Sequence, residues 1–319
     1  MFGADRMVTF PFRAFMSRIQ REANLDRMCK ELQDYSLTQV PPPADQIPGL
    51  ARRLSESIFL ANSSTPDNFA RICSAECAIP GAAGPRGGFI ASQKFLSVMN
   101  GVPVNPLKCE AAMGTSGDVF FYLAPFRYPR TACGLLFSTT LENGHRDDGV
   151  GTPFDSGGLH RHLTRTNPSE SARTFLERHE LPIPQHRQYL AYSLQFLFGS
   201  PEDYIEGNEP LNPGPLGLAE GDTRGRPPDP RRWTHEVRLP DRVFVRTGHL
   251  QAVFAPSYLV KARRPIRDLF KWCDNEGVDT ITFGHPSGED CSELRRQCLE
   301  YMRKSYTKAG YGSNPRRAT

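Results

Sequence analysis

A chain of 319 residues has room for one large domain with a helical annex and too little for two independent enzymes. Its 38% hydrophobic and 23% charged residues are ordinary for a soluble globule, while 28 prolines and 27 glycines demand many turns and long irregular connections. A net charge of +4 permits contact with a polyanion without requiring it, and no apolar run reaches the ~20 residues of a membrane-spanning helix, so a cytoplasmic protein without membrane contact is expected.

Apolar residues at Phe12, Phe15, Met16, Ile19, Leu25, Met28 and Leu32 predict an amphipathic helix over Phe12 to Tyr35, which Pro41-Pro42-Pro43 ends. A short helical segment from Ala44 to Glu56 completes an N-terminal annex over residues 1–55. Ser57 to Asn62 then reads as a strand, followed by the polar turn Ser63 to Asp67 and a helix carrying Phe69, Ile72 and Cys73. Asp118 to Pro125 is a second strand, apolar enough to be buried on both faces, and Cys133 to Thr140 a third.

Tyr189 to Phe198 has the spacing of a buried helix, and Glu209 to Pro230 is a Pro/Gly-rich connection long for a compact domain, either a mobile lid or a disordered insertion. Arg232 to Pro240 and His249 to Pro256, parted by a charged turn, predict a β-hairpin with the carboxylate of Glu236 in its first strand. An edge strand with Glu236 paired to Arg232 or Arg238 would explain that carboxylate; a catalytic acid held on a sheet is the other explanation. A helix from Ile266 to Cys273, a strand from Asp279 to Phe283 and a last helix from Glu289 to Tyr306 close a domain over residues 56–309, ahead of a basic tail at 310–319. The 8 cysteines are scattered, so reduced thiols are expected, and no ligand set with metal-site spacing is present.

The order of elements resembles the ADP-ribosyltransferase fold, most closely its DarT-type branch, over patches of residues 57 to 260. The residues that carry the likeness are Asn62 to Phe69 after the first strand, the aromatic strand Phe120 to Arg127, and the strand Glu236-Val237-Arg238-Leu239-Pro240. The resemblance implies an α+β fold with a split β-sheet core and flanking helices, and an NAD-dependent mono-ADP-ribosyltransferase with Glu236 as its catalytic carboxylate. Breaking the nicotinamide glycosidic bond builds an oxocarbenium-like cation, which a fixed carboxylate steadies. By the same resemblance Asn62, with Ser64 close by, anchors nicotinamide or ribose, Tyr122 stacks on nicotinamide, Arg127 grips the pyrophosphate, and Ser138 in Phe137-Ser138-Thr139-Thr140 matches a hydroxyl-bearing strand motif. The family pattern has a histidine where this chain has Asn62. On these expectations Asn62 and Glu236 face one cleft, NAD is the substrate, and the acceptor macromolecule is a protein or a nucleic acid.

Pro153 to His162 lies outside that pattern. Gly157 and Gly158 suit a turn that feeds a helix N-terminus and offers bare amides to a cofactor phosphate, or Asp155 and Ser156 simply cap that helix. Two further readings stay open: a non-catalytic interaction protein on the same fold, and a hydrolase built on Asp155 and Ser156. Arginine and lysine clusters at Arg224 to Arg232 and Lys261 to Arg267 flank the Glu236 strand, where they would steer a polyanion toward it.

Overall fold

In the computed structural model the described residues are 9–35, 45–64, 66–73, 89–92, 94, 108–123, 133–157, 171–198, 203–204, 208, 211, 234–244, 248–284 and 292–308. Helices α1 (Thr9–Tyr35) and α2 (Ile47–Ser57) lead into strand β1 (Phe59–Ser64) and helix α3 (Pro66–Ile72). A short strand β2 (Phe89–Ala91), helix α4 (Lys108–Met113) and strands β3 (Asp118–Leu123) and β4 (Cys133–Ser138) follow. A 3₁₀ helix (Thr139–His145), β5 (Val150–Thr152), α5 (Ala172–His179), β6 (Leu181–Pro182) and α6 (Ile183–Leu197) form the middle of the chain. The last part contributes β7 (Glu236–Pro240), β8 (Arg242–Phe244), β9 (Leu250–Pro256), α7 (Ser257–Ala262), α8 (Arg264–Glu276), β10 (Asp279–Phe283) and α9 (Ser292–Lys308). The result is an α+β architecture on an eight-stranded mixed sheet of order β10-β9-β4-β1-β3-β7-β5-β6, with β2 and β8 paired separately. Among the described residues no helix is long and apolar enough to cross a membrane.

The sheet is antiparallel except where β10 runs parallel to β9, joined through α7 and α8. That crossover is legible in α8, where Ile266, Phe270 and Cys273 recur on one buried face and Gly277, at φ 70°, ends the helix by donating its amide to Cys273 O. One face of the sheet carries Leu60, Leu123, Leu135, Phe137, Val237 and Leu239, packed with Leu190 and Leu194 of α6 and Phe270 of α8. On the other face, Phe59, Ala61, Leu136, Ala252 and Phe254 meet Cys298 and Met302 of α9. The N-terminal helices join this body directly: Ala51 and Leu54 belong to the main core, while Met28 and Leu32 pack on Tyr189, Tyr192 and Phe196 of α6.

Two strand expectations change. The Glu236 strand does not pair with β9 in a hairpin; β7 lies between β3 and β5, and β9 lies between β4 and β10. Pro240 ends β7, and Asp241 at φ 60° turns the chain, its amide bonded to Gly117 O and its carbonyl to the Ser92 amide, so that β8 pairs with β2 instead. Strand β3 is buried on one face only, through Val119, Phe121 and Leu123, with Asp118, Phe120 and Tyr122 half-buried. Cys73, Cys133, Cys273 and Cys298 are buried free thiols. The greater part of Glu209 to Pro230, the 310–319 tail, and Gly158 to His162 lie outside the described residues.

Candidate active site

Register decides which side chains meet Glu236. Residues directly opposed across an antiparallel pair project from the same face of the sheet. Glu236 opposes Tyr122 on β3 and Thr152 on β5, and Tyr122 in turn opposes Ala61 on β1. Glu236, Tyr122 and Thr152 therefore share one face. Immediately after β5 the chain turns at Pro153 and Phe154 and returns Asp155 and Ser156 over that face: the Ser156 hydroxyl donates to Glu236 Oε1, and the Tyr122 hydroxyl donates to Asp155 Oδ2 at 3.4 Å. Phe154 anchors the turn, packing against Phe175 and His179 of α5 with ring centroids 5.9 and 5.6 Å apart.

Glu236 is 1% exposed. Burial, and then the neighbouring Asp155 carboxylate, push its pKa up to about 8, against the opposing pull of Arg238 and the Ser156 hydrogen bond. Two residues along the strand and on the same face, Arg238 is 2% exposed, with its Nε 3.7 Å from Glu236 Oε1. Its main partners are Glu180 at 2.5 Å and Asp118 at 3.1 Å, and Glu180 also accepts from Arg21 of α1 at 3.1 Å. Burial would raise the Glu180 pKa, but the two arginines outweigh it and hold the carboxyl below its ordinary range. The three carboxylates likewise overcome the burial that would discharge Arg238 and raise its pKa further.

Behind the sheet, on the α6 face, lies a second polar chain. Gly151 opposes Val237 there, and the His186 ring packs so closely on it that a Cβ at Gly151 would stand 2.2 Å from the ring. Arg187 Nη1 lies 3.0 Å from His186 Nδ1 and can only donate, so the His186 proton sits on Nε2. That nitrogen is 3.1 Å from both Thr152 O and His235 Nδ1. Burial, then His235 and Arg187, hold the His186 pKa well below its ordinary value, so the imidazole is neutral. Arg187 is also paired to buried Glu142.

The residues expected to bind cofactor divide. Tyr122 and Gly157 join the Glu236 cluster, Gly157 as the residue after Ser156. Asn62 does not: Ala61 opposes Tyr122, so Asn62, one position on, points to the opposite face, where its amide nitrogen donates to Phe120 O at 2.9 Å. Asn62 and Glu236 therefore do not face one cleft. Ser64 closes β1 opposite Cys133, and Ser138, opposite Phe59, caps the 3₁₀ helix by accepting from the Thr140 amide at 3.2 Å. Three strand spacings of ~4.8 Å separate β4 from β7, which keeps Ser138 away from Glu236. Arg127, His160 and His162 lie outside the described residues. Gly157 does not use the left-handed backbone expected of it; among described glycines only Gly114, Gly248 and Gly277 have positive φ.

Sequence reasoning did not find Asp118, Glu180, His186 and His235. Only Arg238 carried a signal, as the like-face neighbour of Glu236 at strand spacing, although β7 is an internal strand and not the edge that such pairing suggests. No group of three metal-ligating side chains is present among the described residues. Comparison of the chain with protein-family models, curated proteins and solved structures finds no match.

Proposed function

We propose that the chain is an NAD-consuming mono-ADP-ribosyltransferase-like enzyme with Glu236 as its catalytic carboxylate. The observation that carries the reading is the convergence of Glu236, Tyr122, Asp155 and Ser156, drawn from three separate parts of the chain, on one face of the sheet. In the reaction the bond between ribose C1′ and the nicotinamide nitrogen breaks, and its electron pair leaves with nicotinamide, neutralising the pyridinium. The ribose becomes an oxocarbenium-like cation that an acceptor nucleophile, on a protein or nucleic acid, attacks at C1′ with loss of its proton. Ionised Glu236 steadies the cation, Ser156 orients the carboxylate through its hydrogen bond, and Tyr122 supplies an aromatic surface for nicotinamide. Asn62, spent on a backbone carbonyl behind the sheet, has no part in this scheme.

Because the Glu236 pKa stands near 8, the reactive anion grows with pH, and turnover is expected to rise from pH 6 through 8, where half of the carboxyl is ionised, and to level about one unit above. The test is release of nicotinamide from NAD by the wild-type protein and by Glu236→Gln, each with a thermal unfolding curve. Release by wild type and its loss in a variant that folds normally would sustain the proposal. The 1% exposure of Glu236 favours a second reading, an acid that holds the sheet to the Ser156 turn in a non-catalytic protein. Absence of nicotinamide release from wild type would decide for that alternative, and equal release from the folded variant would take the catalytic role from Glu236.

A further inference from the structure

A cavity of about 790 Å³ opens between α2, the start of β1, the 3₁₀ helix and the first turn of α6, and none of the residues around Glu236 lines it. Its volume matches a nucleotide-sized ligand. Three arginines reach it: Arg52 from α2, Arg146 from the end of the 3₁₀ helix, and Arg187 from α6. Against them stands one carboxylate, Glu142, already paired to Arg187, so the lining carries two uncompensated positive charges. Arg52 and Arg146 are exposed; Arg146 touches only the neutral side chain of Asn143, at 3.0 Å, and Arg52 makes no ion pair among the described residues.

Arg187 supplies the observation that separates this cavity from an ordinary basic surface. Its side chain is 6% exposed, and its Nε hydrogen has no acceptor among the described residues. A buried cation short of acceptors places a weakly screened positive charge behind the cavity wall, and an anion in the cavity would be attracted to it. Ile183 and Pro184, the opening residues of the 15-residue helix α6, form part of the same wall, and Pro182 at the cap position has no side chain able to satisfy the free amides. The positive end of the helix dipole thus adds to the arginines. Ser138, the expected cofactor hydroxyl that the Glu236 cluster does not use, lines this cavity.

We infer that this cavity is a binding site for a phosphate-bearing small molecule, separate from Glu236. The phosphate sits between Arg52 and Arg146 with the buried Arg187 charge in the wall behind it, and Ile58 and Phe59 give any attached organic group an apolar floor. A nucleoside phosphate and a free polyphosphate present the same anionic group, and calorimetry with AMP, inorganic pyrophosphate and adenosine distinguishes them. The proposal expects AMP or pyrophosphate to bind, adenosine to bind at least tenfold more weakly than AMP or not at all, and affinity to fall with added salt. Tighter binding of AMP identifies a nucleotide site; tighter binding of pyrophosphate identifies a polyphosphate site. Arg52→Gln and Arg146→Gln, both at exposed positions, should each weaken the better probe about tenfold or more without moving the melting temperature, whereas Glu236→Gln should leave its affinity unchanged. Absence of binding by both anions at millimolar concentration, equal binding of adenosine, or affinity indifferent to both arginine substitutions would overturn the proposal.

Discussion

Two buried arginines, Arg238 on β7 and Arg187 on α6, are opposite solutions to the same electrostatic problem. Arg238 is enclosed by Glu180, Asp118 and Glu236, so its charge is more than balanced from within. Arg187 has a single carboxylate partner, Glu142, keeps an unsatisfied Nε, and borders an open cavity beside two exposed arginines. Both leave Nε without a hydrogen-bond partner among the described residues, so the difference lies in charge: a cation over-balanced by carboxylates serves the fold, and one met by a single carboxylate beside other arginines has capacity for an anion. The excess around Arg238 is negative, and there it falls on Glu236, whose carboxyl is held protonated near neutrality by burial and by Asp155.

The sharpest way to break the comparison is to remove each arginine. Arg238→Ala leaves Glu180, Asp118 and Glu236 with only the half-buried Arg21, on Glu180, to balance them, and breaking a buried pair of this kind costs about 3–5 kcal/mol. Arg187→Ala leaves the neutral His186 Nδ1 without its donor and strands one carboxylate, Glu142, whose pKa burial already raises and which escapes by taking up a proton beside a cavity that admits water. Its expected cost is smaller, about 1–3 kcal/mol. Urea unfolding of both variants at neutral pH checks the order; equal losses would mean that the two arginines are structurally equivalent.

Glu236→Gln probes the same imbalance through pH. The folded-state pKa of about 8 lies above the ordinary 4.5, so between those values the folded protein binds more protons than the unfolded chain. Wild-type stability then falls as pH rises through this window. Glutamine cannot ionise, keeps an acceptor for the Ser156 hydroxyl, and avoids that loss. Relative to wild type, the variant is expected to gain several degrees in melting temperature between pH 5 and pH 8.5, with the difference flattening on either side. A pH-independent difference would show that Glu236 ionises in the fold as easily as in the unfolded chain. Stabilisation at high pH combined with lost nicotinamide release would mark a residue kept for chemistry against the interest of the sheet.

What the sequence made legible follows the range of the interactions involved. Helix α8 could be read from Ile266, Phe270 and Cys273, and the strand at 279–283 from its own composition, because both signals are local. Strand β7 could be found, but its neighbours could not: its partners lie near residues 120 and 151, while the adjacent apolar run at 250–256 pairs elsewhere. Asn62 shows how sharp the limit is, since one residue of register separates it from Ala61, which does face Tyr122. The Ser156 to Glu236 bond spans 80 positions in the chain. Gly157 and Gly158 mark the turn in sequence without revealing the carboxylate beneath it.

The smallest expected effect belongs to Gly157→Ala, and its smallness is what makes it useful. Gly157 follows Ser156 in a helical turn, and its φ is not positive, so a side chain imposes no backbone strain. A Cβ built there meets only Asp155 Oδ1, at 3.7 Å, an ordinary contact. Stability should therefore change by no more than about 0.5 kcal/mol. If NAD is held above Glu236 with its phosphates against this turn, the added methyl occupies the space that bare backbone offered, and NAD affinity should fall several-fold while the melting temperature stays where it was. Calorimetry and thermal unfolding on one preparation give both quantities. Unchanged NAD affinity would remove Gly157 from the cofactor site and leave Ser156 and Tyr122 as the described side chains beside Glu236 able to meet it; a large thermal loss would mean that the turn tolerates no side chain, contrary to the space observed around it.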